Sequence, residues 1–156
     1  MPQRISACRE RRHKRNGGDG ASQKGSVQIL IVTATALLCF SLLLAWLLSM
    51  VKGMPDAAFH RFIKSEKALL QAHIDYVLMA ILLFVFALSG HEFPAAITYA
   101  TIVGSITNPL LFLVMAVKPD VAKTPFSPFG IASVLSFITT TTGMAGCALV
   151  WSSSAS

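Results

Sequence analysis

Charge is what this sequence has least of. Charged residues make up only 13% of the 156, and Asp and Glu together number seven. Soluble domains carry about a quarter charged residues, so half that share leaves too few to cover a water-facing surface. Cysteine is scarce as well. Cys8, Cys39 and Cys147 are odd in number and form no CxxC spacing. That excludes a disulfide framework and a thiolate metal site, and leaves Cys39 and Cys147 as small residues buried in apolar runs. The chain has no HExxH, no GxSxG, no P-loop and no dinucleotide-binding glycine pattern, and no paired acidic residues for carboxylate chemistry. The common soluble enzyme classes are thereby removed.

What is present is long apolar runs. Hydrophobic residues make up 54% of the chain, and they fall into four segments, about 27–51, 68–89, 95–117 and 129–151. About 20 apolar residues cross a bilayer as a helix. The first run is uncharged over 25 residues, too long for a signal-peptide core of ~7–15. The fold class expected is therefore all-α: a four-transmembrane-helix bundle over residues 26–152. A disordered basic N-terminal tail, residues 1–25, precedes it. Pro55 and the spacing of Ala58, Phe59, Phe62 and Ile63 predict an amphipathic interfacial helix over 56–67 that leads into the second span.

Seven of the 13 Lys and Arg residues (Arg4, Arg9, Arg11, Arg12, Lys14, Arg15 and Lys24) lie in the tail. Beside a first span such residues hold the flank in the cytoplasm and attract anionic lipid. They point to the lipid bilayer as partner and away from nucleic acid. The other side holds six: Lys52, Arg61, Lys64, Lys67, Lys118 and Lys123. This small bias favours cytoplasmic termini.

An ionisable residue at membrane depth is a functional hypothesis by default. Two occur together, in Gln71-Ala72-His73-Ile74-Asp75-Tyr76. His73 and Tyr76, three apart, share a helix face, whereas Asp75 points about 200° around from His73. Asp75 therefore needs a partner on another element or an aqueous mouth. His73 has the chemistry of a general acid or base, of a metal or haem ligand, or of a hydrogen-bonding group near the headgroups. Asn108-Pro109 interrupts the third span, either as a kink with a satisfied Asn or as a pocket wall opposite His73. The fourth span is rich in Ser, Thr and Gly (Ser136, Thr140, Gly143, Gly146). Such rows pack helices closely, within one chain or between subunits.

Four stretches resemble the styrene oxide isomerase family of bacterial membrane proteins. They are Ala72-His73 running into Ile74-Asp75-Tyr76-Val77-Leu78-Met79; Gly104-Ser105-Ile106-Thr107-Asn108 with Phe112 and Lys118-Pro119-Asp120; Pro125-Phe126-Ser127-Pro128-Phe129-Gly130; and a last span with Ser133 and Ser136 early and Gly143-Met144-Ala145-Gly146 late. The resemblance covers roughly residues 27–151. It implies a multi-pass protein of the bacterial inner membrane, a homotrimer holding haem b at subunit interfaces, with His73 as axial ligand of the iron. It also implies isomerisation of an apolar epoxide to a carbonyl compound, the ferric iron acting as a Lewis acid. Asn108 matches the family, and Asp75 and Tyr76 are further catalytic candidates. Three positions depart from it: Met79 stands where the family has asparagine, Gly104 where it has aspartate, and Phe112 where it has tyrosine. The alternative is a non-catalytic transmembrane subunit or scaffold of a larger membrane complex. A multidrug-type carrier is disfavoured because the first span has no carboxylate. A trimeric glutathione-dependent enzyme is disfavoured because the spans lack its basic and acidic residues.

Overall fold

The computed structural model describes residues 3–53, 63–91, 93–122 and 127–154, of which 3–24, 122 and 154 are described by backbone alone. Four helices account for most of them: α1 (Gln3–Gly53), α2 (Glu66–Leu88), α3 (Ala95–Val117) and α4 (Pro128–Ser154). Each contains a stretch long and apolar enough to cross a membrane: Gly25–Gly53, Glu66–Leu88, Ala95–Val117 and Pro128–Ser153. The boundaries match the hydropathy of the sequence to within two residues. The backbone of α1 is helical from Gln3. No proline lies between Gln3 and Gly53 to break it. Most of the expected interfacial helix, 54–62, lies outside the described residues, as do Glu92 and Lys123 to Phe126.

The helix ends follow local chemistry. Ser65 caps α2, its hydroxyl accepting from the Ala68 N–H at 3.3 Å. The backbone N–H groups of Lys64 and Ser65 both donate to the Ala116 carbonyl, at 2.9 and 3.1 Å. That contact ties the start of α2 to the end of α3 and satisfies a terminal carbonyl. At the opposite end α2 passes to α3 through a short turn in which Gly90 takes φ 71°, a conformation glycine adopts without a Cβ penalty. Phe86 and Phe93 close that turn edge to face at 5.8 Å.

Packing follows chain order. α1 lies on α2, α2 on α3 and α3 on α4, with a lesser α1–α3 contact. The main core draws on α1, α2 and α3, where Leu30, Ala34, Leu69, Ala72, Ala80 and Leu83 are buried. The α3–α4 seam is built differently, from hydroxyls and glycines. A Cβ on Gly104 would come within 2.6 Å of the Thr140 Cα, and one on Gly143 within 2.6 Å of the Thr101 N. Ser136 and Thr107 share a hydrogen bond at 2.8 Å, and the buried Cys147 sulfur lies 3.4 Å from the Thr101 hydroxyl. The rows of small residues in the last span therefore pack α4 onto α3 of the same chain. The two cysteines divide: Cys147 is buried as expected, but Cys39 is exposed on α1, because α1 is covered along one side only. Large apolar side chains such as Leu43, Trp46, Val134 and Leu149 face outward, as a lipid-facing surface requires.

Candidate functional site

α2 carries the polar residues of the site, and its helical rotation distributes them. His73 faces α1. Its Nδ1 lies 2.8 Å from the Ser41 carbonyl oxygen. A carbonyl only accepts, so Nδ1 carries the proton and donates. In the neutral imidazole that leaves Nε2 with its lone pair, and no hydrogen bond to Nε2 occurs among the described residues. Ser41 is itself fully buried, with its hydroxyl donating to Leu38 at 2.7 Å. The carbonyl that orients the imidazole thus sits in a packed part of the α1–α2 contact. His73 is half-buried.

Asp75 faces α3. Asn108 Nδ2 donates to Asp75 Oδ2 at 2.6 Å. Asp75 is nine residues past Glu66 and Asn108 nine before Val117, so each lies roughly 14 Å from the same membrane end at ~1.5 Å per residue. Against ~30 Å of hydrocarbon that is mid-depth. The partner that Asp75 requires on another element is therefore Asn108. Asn108 is 5% exposed, and its Oδ1 is buried with no donor among the described residues.

Tyr76 is buried against α1, its ring meeting Phe40 edge to face with centroids 5.0 Å apart. The four candidates therefore form two groups, one on each side of α2. His73 and Tyr76 pack toward α1, and Asp75 joins Asn108 of α3. The sequence did not single out Ser41, and only its backbone takes part, so no side-chain pattern could have marked it. His91 lies in the α2–α3 turn, with Nδ1 2.9 Å from the Ser89 carbonyl and its ring 6.4 Å from that of Trp151.

The three positions that depart from the isomerase pattern are packing positions here. Met79 and Phe112 lie partly buried against the α1–α3 core. Gly104 meets the α4 backbone so closely that no side chain fits without moving that helix. Among the described residues no three His, Cys, Asp or Glu side chains converge on a point that could hold a metal ion.

No family model, no curated protein and no solved structure matches the chain. The four apolar helices define the class: the protein is a multi-pass, all-α integral membrane protein.

Proposed function

We propose that the protein binds haem b through His73, as a diverged relative of the styrene oxide isomerases. The observation that carries this reading is the hydrogen bond from His73 Nδ1 to the Ser41 carbonyl. A metal-bound histidine almost always donates its other ring N–H to a carbonyl or carboxylate, which fixes the tautomer and raises the basicity of the ligating nitrogen. His73 is held in that form, within a membrane span, with no competing partner at Nε2 among the described residues. A porphyrin shared between copies, as in the homotrimer that the resemblance implies, would have to reach His73, which is only partly buried.

When bound, ferric haem supplies Lewis acidity toward an epoxide oxygen. This chain supplies the axial nitrogen, the carbonyl that orients it, and apolar surroundings that limit access of water. Met79, Gly104 and Phe112 contribute no polar group. Tyr76 is the conventional catalytic side chain on the His73 side of α2, and Asp75 and Asn108 are engaged with each other. Haem binding is the core of the proposal, and conversion of an apolar epoxide to an aldehyde is the activity that follows from the resemblance. The test is the visible spectrum of the detergent-purified protein from haem-supplemented cells, with a pyridine haemochrome assay. A haem b signal that disappears in His73→Ala while membrane insertion is unchanged is the expected result. A colourless wild-type protein would overturn it and leave the non-catalytic membrane subunit as the better reading.

A further inference from the structure

The last two turns of α3 carry an apolar stripe that ends in a charge. Leu110, Leu113, Val114 and Val117 recur at three and four residues and so share one side of the helix. Lys118 follows as the C-cap. These five residues line an open groove of about 320 Å³, the size of a small-molecule site, ~300–1,000 Å³. Leu113 packs against the main core, whereas Leu110, Val114 and Val117 are exposed. From Leu110 to Lys118 the groove runs roughly 12 Å along the helix, at ~1.5 Å per residue, from inside the span to its membrane end. That end is basic. Lys64 is tied to it by its backbone bond to the Ala116 carbonyl, Lys67 stands in the first turn of α2, and Lys52 in the last turn of α1. All four lysines are exposed, and none has an ion pair among the described residues. The acids described at the same end are Glu66 and Asp120.

We propose that the groove holds one acyl chain of an anionic phospholipid, with the lipid phosphate against the Lys118 ammonium. The groove lies within the span, so an acyl chain is the apolar occupant that the bilayer itself supplies. It ends at Lys118, where the headgroups begin, so a chain seated along it brings its own phosphate to the ammonium. The ammonium offers three donors and no acceptor, which suits phosphate oxygens. A zwitterionic lipid would bring a further cation to an end where four lysines already face two acids, whereas an anionic lipid offsets that excess. A lysine that only snorkels to the interface needs no concavity below it; here the groove and the charge share one side of one helix. The same groove of a second copy is a poorer occupant. Copies inserted alike run parallel, so a self-complementary contact would set one Lys118 against the other. The site is independent of His73 and of haem.

The test is the thermal unfolding of the purified full-length protein in detergent micelles, followed by tryptophan fluorescence. The micelles are doped with dioleoyl phosphatidylglycerol or with dioleoyl phosphatidylcholine at constant pH and ionic strength. The midpoint should rise saturably with phosphatidylglycerol and little with phosphatidylcholine. Lys118→Gln should raise the half-saturating phosphatidylglycerol about fivefold, the share of one lysine beside an anionic lipid surface. Lys52→Gln removes a charge from the same membrane end outside the groove and should change it less. Val114→Phe obstructs the groove with every charge in place and should raise it. Equal midpoint shifts with the two lipids would overturn the proposal. An effect of Lys52→Gln as large as that of Lys118→Gln would also overturn it, in favour of diffuse attraction to a basic end. So would an unchanged phosphatidylglycerol response in Val114→Phe, and a change in that variant's oligomeric state on native gels would then assign the groove to a second copy.

Discussion

His73 and Asp75 stand two residues apart on one helix and serve different neighbours. Their separation in sequence already rules out a pair on one face, and the structure supplies what each one meets: the Ser41 carbonyl of α1 for His73 and the Asn108 amide of α3 for Asp75. Removing the amide while keeping the carboxylate should be worse than removing the charge. Asn108→Leu takes away a hydrogen bond to a charged group, worth about 1.5–3 kcal/mol, and should lower unfolding stability in detergent by that order. Asp75→Asn keeps a polar partner for Asn108 and should cost less. Equal losses in chemical denaturation would argue that Asp75 and Asn108 do not act as a pair. For His73, the corresponding expectation is loss of the Soret band in His73→Ala at unchanged expression in the membrane; a retained band would remove it as ligand.

Among the elements, the α3–α4 seam is the one whose chemistry the sequence displays and whose partner it conceals. Ser136, Thr140, Gly143 and Cys147 recur at three and four residues along α4, a row that suits close approach. The same row would serve a neighbour in the chain or a second subunit. The close approach of Thr101 to Gly143 and of Thr140 to Gly104 assigns it to the chain's own α3. Gly143→Leu therefore forces α3 and α4 apart against backbone atoms, and should destabilise the fold by about 1–3 kcal/mol. Gly146→Leu meets only the flexible side chain of Ile97, at 3.1 Å, and should cost less. Thermal melts of the two variants in detergent check the order, and a reversed order would count against the seam as described.

At the scale of the whole molecule, four spans place the α2–α3 turn and the end of α4 on one membrane side. The start of α2 and the end of α3 lie on the other, joined through the Ala116 carbonyl. Cysteines introduced at Ser89 and Ser153 should react with an impermeant thiol reagent from the same side, in a background with Cys8, Cys39 and Cys147 replaced. A cysteine at Lys118 should react only from the opposite side. Labelling of Ser89 and Ser153 from opposite sides would mean that one apolar helix does not cross. The same experiment on intact cells tests the cytoplasmic placement of the termini that the basic flank favours.

Sequence alone determined the number, type and extent of the spans, because apolar runs of bilayer length have one stable solution, a helix that satisfies its own backbone. It also marked His73, Asp75, Asn108 and Pro109, since polar and helix-breaking residues stand out against an apolar background. Only the tertiary structure decided their partners. Helical periodicity fixes the direction of a side chain about its own axis but not which helix lies there. The pairing of Asp75 with Asn108 spans 33 residues, and the acceptor for His73 is a backbone carbonyl that no residue type announces. The roles of Gly104 and Gly143 were settled the same way: a missing side chain permits close approach anywhere, and the approach itself exists only once α3 and α4 are packed.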